Sequence, residues 1–130
     1  MAQRAVVVDD DSDTRIVLRA VLEDEGYTVD EAADGVEALA TLQASGAPAV
    51  VVLDLDLPGH DGLEIMRAVM GDARLAGRYA FVLLTALSYR RSNTAEQECA
   101  ALGVPFLPKP FELDALLDAV REAPRRLSSP

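Results

Sequence analysis

Short runs of β-branched and other apolar residues alternate along the chain with stretches whose apolar positions recur every three or four residues. These two periods distinguish strand from helix. Strands are predicted at about Arg4 to Val8, Thr28 to Glu31, Ala49 to Leu53, Tyr79 to Leu84 and Val104 to Leu107. The first helical stretch runs from about Ser12 to Glu25, sets Ile16, Val17, Ala20 and Val21 on one face, and meets Gly26 as a stop. Val36, Leu39, Ala40 and Leu42 mark the second. Leu63, Ile65, Met66 and Val69 mark the third, which opens after Asp61 and Gly62 and ends near Gly71. The fourth, about Ser88 to Leu102, is polar all round at its start. Phe111, Leu113, Leu116, Leu117 and Val120 mark the fifth, which Pro124 is expected to stop.

Strand followed by helix, repeated along the chain, predicts right-handed crossovers feeding a parallel sheet. The runs AVVV, AVVVL and FVLL are apolar without alternation, as strands covered by helices on both faces must be. TVDE alternates, as an edge strand would. The expectation is an α/β fold with a five-stranded parallel sheet, doubly wound, and five helices. One domain would span residues 1–124, followed by a short polar tail over residues 125–130 with no output domain.

Charge narrows the function. A formal net charge of −10 leaves no surplus of Lys and Arg for the phosphate backbone, so no direct nucleic acid binding is expected. No apolar run is long enough to span a membrane, and acids end the N-terminal run too early for a signal peptide, so a soluble, cytoplasmic protein is expected. Cys99 has no cysteine to pair with and reads as a small buried side chain.

The chemistry stands just past the strands. Asp9, Asp10 and Asp11 follow the first, Asp54 and Asp56 the third, Thr85 and Ala86 the fourth, and Lys109 and Pro110 the fifth. A parallel sheet brings all these ends to one edge, where open α/β sheets bind ligands. Two carboxylates about 4 Å apart repel by about 4 kcal/mol at an effective dielectric of about 20, so acids gathered there need a cation or protons. Mg²⁺ suits hard oxygen ligands and needs only one or two carboxylates. With a lysine and a hydroxyl added, the set matches phosphoryl transfer, which runs on positioning and charge neutralisation. A carboxylate nucleophile would give an acyl phosphate.

These residues resemble the receiver domain of bacterial two-component response regulators. The resemblance rests on VVVDDD (Val6 to Asp11), VVLDLDLPGHDG (Val51 to Gly62), LLTA (Leu83 to Ala86) and LPKPF (Leu107 to Phe111), in that family's order and spacing. It implies the flavodoxin-like strand order 2-1-3-4-5. It also implies Asp54 as phosphoacceptor, Asp10 as a direct Mg²⁺ ligand, Asp9 as a ligand through water, and Asp56 as a ligand through its backbone carbonyl. Thr85 would hydrogen-bond a phosphoryl oxygen and Lys109 would pair with it, before a cis Lys109–Pro110 bond. Phe106 falls on the aromatic switch position, where it lacks the hydroxyl of members with Tyr. Asp56 and Leu87 sit where the family varies and tunes dephosphorylation. The implied partners are a histidine kinase or histidine phosphotransfer protein and a downstream protein partner.

Other residues receive structural readings. Asp11 and Asp13 are expected at the first helix's start, favoured by its dipole. His60 reads as an exposed loop residue, Arg90 and Arg91 as a solvated helix start, and Gly35, Gly59 and Gly62 as turn formers. VVLDLDLP also looks like the DxD motif of haloacid-dehalogenase-type phosphatases, but that family places it after the first strand, and no cap-sized insertion is present.

Overall fold

The computed structural model describes residues 3–45, 47–86 and 92–127. The elements in chain order are β1 (Gln3–Val8), α1 (Ser12–Asp24), β2 (Tyr27–Ala32), α2 (Gly35–Ser45), β3 (Ala49–Asp54), β4 (Asp56–Leu57), β5 (His60–Asp61), α3 (Gly62–Met70), β6 (Tyr79–Ala86), α4 (Ser92–Leu102), β7 (Phe106–Lys109) and α5 (Leu113–Leu127). The main sheet is parallel, in the order β2-β1-β3-β6-β7, which is 2-1-3-4-5 when only its five strands are counted. β2 lies at an edge, as its alternation predicts. Among the described residues, no helix is long and apolar enough to cross a membrane.

The unbroken apolar strands have a direct explanation in the packing. Along β3, Val51 and Leu53 enter one core while Val50 and Val52 enter the other. β6 divides in the same way, with Tyr79, Phe81 and Leu83 on one side and Ala80, Val82 and Leu84 on the other. Ile65, Met66 and Val69 of α3 close the first core, and Leu18 and Leu22 of α1 with Leu116 and Val120 of α5 close the second. A strand covered on both faces has no solvent side on which to place polar residues.

Several sequence expectations need correction. Ile16 and Val17 are 63% and 49% exposed, and the buried residues of α1 are Leu18 and Leu22. Leu18 and Leu22 turn this stripe of the helix inward, and Arg15 and Arg19 on it are held by Glu31 of β2 at 3.1 and 2.6 Å. In α2, Val36 is exposed and Ala38 and Leu42 are buried. Pro124 does not stop α5, which continues to Leu127. A proline removes one N–H from the ladder, but the apolar stripe Leu116, Ala119, Val120 and Ala123 packs on the sheet through the turns before it.

The last two sheet strands are displaced toward the carboxyl edge. β6 extends two residues beyond its predicted end, so Thr85 and Ala86 pair in register with Pro108 and Lys109. Val104 is not in β7. Its N–H donates to the Cys99 carbonyl (2.8 Å) while that of Gly103, at φ +73°, donates to the Ala100 carbonyl (3.2 Å). This glycine-dependent closure of α4 satisfies carbonyls at the helix end. The predicted start of the fourth helix, with Leu87, Arg90 and Arg91, lies outside the described residues.

Candidate functional site at the carboxyl edge of the sheet

β1 and β3 are adjacent, with Val8 opposite Leu53, so the acids that follow them emerge side by side. Asp9 is 0% exposed and Asp54 3%, whereas Asp10 is exposed. Carboxylate oxygens of Asp9, Asp10 and Asp54 lie within 4.8 Å of one another. Lys109 comes from β7 at the far end of the sheet, and its Nζ donates to Asp9 Oδ2 at 2.7 Å and to Asp54 Oδ2 at 3.1 Å. The Lys109–Pro110 bond is cis, as the resemblance implies.

The two buried carboxylates are each oriented by one backbone donor. Asp9 Oδ1 accepts the Asp11 N–H at 2.9 Å, and Asp54 Oδ1 accepts the Asp56 N–H at 3.0 Å. Asp11 caps α1, with its two oxygens taking the Asp13 N–H and the Thr14 hydroxyl. The Thr14 hydroxyl, with the Asp13 N–H, holds the Asp11 carboxyl below the ordinary range. Asp11 thus serves the helix start, as expected.

The charges at this edge do not balance. Burial pushes the Asp54 carboxyl up, the neighbouring Asp9 adds to the rise, and the Asp56 N–H and Lys109 only partly oppose it. Burial alone would depress Lys109, but the hydrogen bond to Asp9 and the charges of both acids outweigh it and hold the ammonium above its usual value. The same ion pair therefore raises the lysine without lowering Asp54. The reason is that one ammonium serves two carboxylates and stands closer to Asp9.

Oxygen donors at this spacing fit Mg²⁺, which takes a few carboxylates and fills the rest of its octahedron with water. Thr85, 2% exposed, is the last residue but one of β6, and its hydroxyl donates to the Ala86 carbonyl at 3.4 Å. Asp56 is half-buried, with Oδ2 accepting the Ala86 N–H at 3.3 Å. Phe106 is half-buried opposite Leu83 and packs against the first core.

Sequence reasoning missed four parts of the surroundings. The Pro58–Gly59 turn, with Gly59 at φ +72°, closes a small antiparallel hairpin of β4 and β5. His60 lies in that hairpin and is half-buried, not exposed. A methyl group on Gly35 would fall 2.5 Å from its Cγ, so Gly35 provides the seat for the ring and is not a turn former. Gly62 likewise serves close approach, since a Cβ there would lie 2.7 Å from the Asp54 carbonyl oxygen. Arg15 donates to the Asp9 backbone carbonyl, and the Asp9 N–H bonds the Ala32 carbonyl at 3.2 Å. The 15/19 spacing on α1 facing Glu31 was the available signal for that arginine.

Comparison with known proteins agrees with this geometry. The response regulator receiver domain family matches residues 5–121. The response regulator MprA of Mycobacterium tuberculosis (strain ATCC 25177 / H37Ra) is 40% identical over 126 residues, covering 97% of this chain and 52% of that protein. The chain therefore spans about half the length of the curated relatives it matches. Among solved structures, the chemotaxis response regulator CheY4 of Vibrio cholerae is 28% identical with a TM-score of 0.78, covering 95% of this chain and 99% of that one. The bacteriophytochrome response regulator AtBRR is 31% identical with a TM-score of 0.75, covering 95% and 93%. With the family match running through both cores and every strand end of the site, the chain belongs to the response regulator receiver domain family.

Proposed function

We propose that Asp54 accepts a phosphoryl group from a histidine kinase or histidine phosphotransfer protein, and that the modified domain switches a protein-interaction surface. One observation carries the reading. The Asp54 carboxylate sits at the centre of the site, desolvated, oriented by the Asp56 N–H and Lys109, and within 4.8 Å of oxygens of Asp9 and Asp10.

In the reaction, an Asp54 carboxylate oxygen attacks phosphorus, the bond from phosphorus to the donor's nitrogen or oxygen breaks, and the donor leaves with the electron pair. Asp10 and Asp54 would hold Mg²⁺ directly, Asp9 through water and Asp56 through its backbone carbonyl. The bound dication supplies neutralisation of the charge developing on the phosphoryl oxygens. Lys109 pairs with one phosphoryl oxygen and Thr85 donates its hydroxyl to another, so that Thr85 must leave the Ala86 carbonyl. Phe106 then repacks as the aromatic switch without a hydroxyl to place. The domain acts as a phosphoacceptor that assists its own phosphorylation and dephosphorylation, and a downstream protein partner reads the changed face.

Intact-mass measurement after incubation with Mg²⁺ and acetyl phosphate tests the reading. Wild type and Asp56→Ala should gain one phosphoryl group and Asp54→Ala none. Labelling that survives in Asp54→Ala rejects Asp54 as the acceptor.

A further inference from the structure

The proposed chemistry uses only the backbone of Asp56, yet its side chain reaches across to β6. Its N–H donates to Asp54 Oδ1 at 3.0 Å, and its Oδ2 accepts the Ala86 N–H at 3.3 Å. One residue on β4 thus ties the acceptor carboxylate at the end of β3 to the final residue of β6. Ala86 in turn is opposite Lys109 in the ladder and accepts the Thr85 hydroxyl. The Asp56 contact therefore lies one residue from Thr85 at the end of β6.

We infer that the Asp56 carboxylate is a releasable latch, which occupies the Ala86 N–H in the resting domain and is displaced when Asp54 is phosphorylated. The inference rests on the Asp54 reading. A phosphoryl group is dianionic and brings three acceptor oxygens. Placed on Asp54, it repels the neighbouring carboxylate and offers the Ala86 N–H another anionic acceptor. Phosphorylation can shift a conformational equilibrium only through contacts that differ between the two states. The Asp56–Ala86 bond is such a contact, present at rest and lost afterwards. Asp56 is therefore a positioning residue that restrains β6 and opposes arrival of the phosphoryl group.

Amide hydrogen exchange at Ala86, read by NMR in Mg²⁺-free protein, tests the latch without any phosphodonor. Exchange in Asp56→Ala should be about tenfold faster than in wild type, the scale of losing a hydrogen bond to a charged acceptor. Asp56→Asn, which retains an acceptor oxygen without the charge, should fall between them and guards against misfolding of the alanine variant. With Mg²⁺ and acetyl phosphate, Asp56→Ala should label at least about threefold faster, since neither contact nor repulsion then opposes the incoming group. Unchanged Ala86 exchange in Asp56→Ala, or slower labelling, overturns the latch. A wild type that labels on Asp54 with unchanged Ala86 exchange defeats the latch alone, whereas a wild type that takes no label defeats the acceptor reading and the release step with it.

Discussion

Asp54→Asn should make the Mg²⁺-free domain more stable, although it removes the residue the site is built around. The ionised side chain is attracted by Lys109 at 3.1 Å, which is worth about 5 kcal/mol at an effective dielectric of about 20. It is repelled by Asp9 and Asp10, with oxygens within 4.8 Å, by about 3.5 kcal/mol each on the same basis before solvent screens the exposed Asp10. The two repulsions together exceed the attraction by about 2 kcal/mol before solvent weakens the Asp10 share, and desolvation of a carboxylate that is 3% exposed adds to that. That penalty is several kcal/mol per buried ion, and the Asp56 N–H reduces it. An asparagine that accepts that N–H turns its amide nitrogen toward Lys109 and gives up that hydrogen bond, but Lys109 keeps Asp9 at 2.7 Å, so no ion is orphaned. The expected gain is about 1 to 3 kcal/mol.

The pH dependence has the same origin. Burial, then Asp9, raises the Asp54 carboxyl in the folded protein. The folded state therefore holds a proton that the unfolded state has already released, and wild-type stability falls as pH rises from the ordinary aspartate value of about 3.9 to the raised folded value. The advantage of Asp54→Asn should open across that window and stay constant above it. Urea denaturation in EDTA across a pH series measures it as a shift in midpoint at unchanged slope. A variant about 1 kcal/mol or more less stable than wild type at neutral pH would refute this charge balance. Adding Mg²⁺ should then stabilise wild type, by about 2.7 kcal/mol at a hundredfold excess over Kd, and Asp54→Asn by less.

Gly62→Ala should cost about 1 to 3 kcal/mol, because the new Cβ would meet the Asp54 carbonyl oxygen at 2.7 Å and Leu55 Cα at 2.8 Å. A denaturation midpoint equal to wild type would show that the backbone yields freely. For Glu31, Arg19 first and then Arg15 hold the folded carboxyl below its ordinary value, so its contribution is present at neutral pH and lost as pH falls through the depressed folded value. Glu31→Gln should therefore be less stable by about 1 kcal/mol or less near neutrality and converge with wild type in acid, and a gap that widens in acid contradicts the assignment. Burial pushes the Cys99 thiol up to about 11, so iodoacetamide should alkylate it only in denaturant. Rapid alkylation of the native protein, followed by mass, would contradict its burial.

The sheet was legible because its strands carry a pattern with one cause, burial on both faces, and the acids, Thr85 and Lys109 were legible because they end those strands. Helix rotation was harder to read. Ile16 and Val17 satisfy a helical apolar period as well as Leu18 and Leu22 do, and the face that packs is fixed by tertiary contacts, the burial of Leu18 and Leu22 with Arg15 and Arg19 reaching Glu31 of β2. The β4–β5 hairpin has two residues per strand, too few for any periodicity to register. His60 offered a polar side chain on a loop, and its burial depends on the missing side chain of Gly35, a residue 25 positions earlier. The bond from Ala86 to Asp56 joins a featureless backbone amide to a side chain 30 residues away, which no local pattern reports.

The short connection after α4 has a mechanical consequence. Three residues, Gly103, Val104 and Pro105, separate the helix from Phe106, and both Gly103 and Val104 amides are committed to the helix's last carbonyls. Proline allows little rotation about its own N–Cα bond, and the Pro105 carbonyl accepts the Leu83 N–H at 3.0 Å. The segment thus behaves as a stiff strut without slack, so that a displacement at Phe106 is delivered to the foot of α4 and is not absorbed by the loop between them.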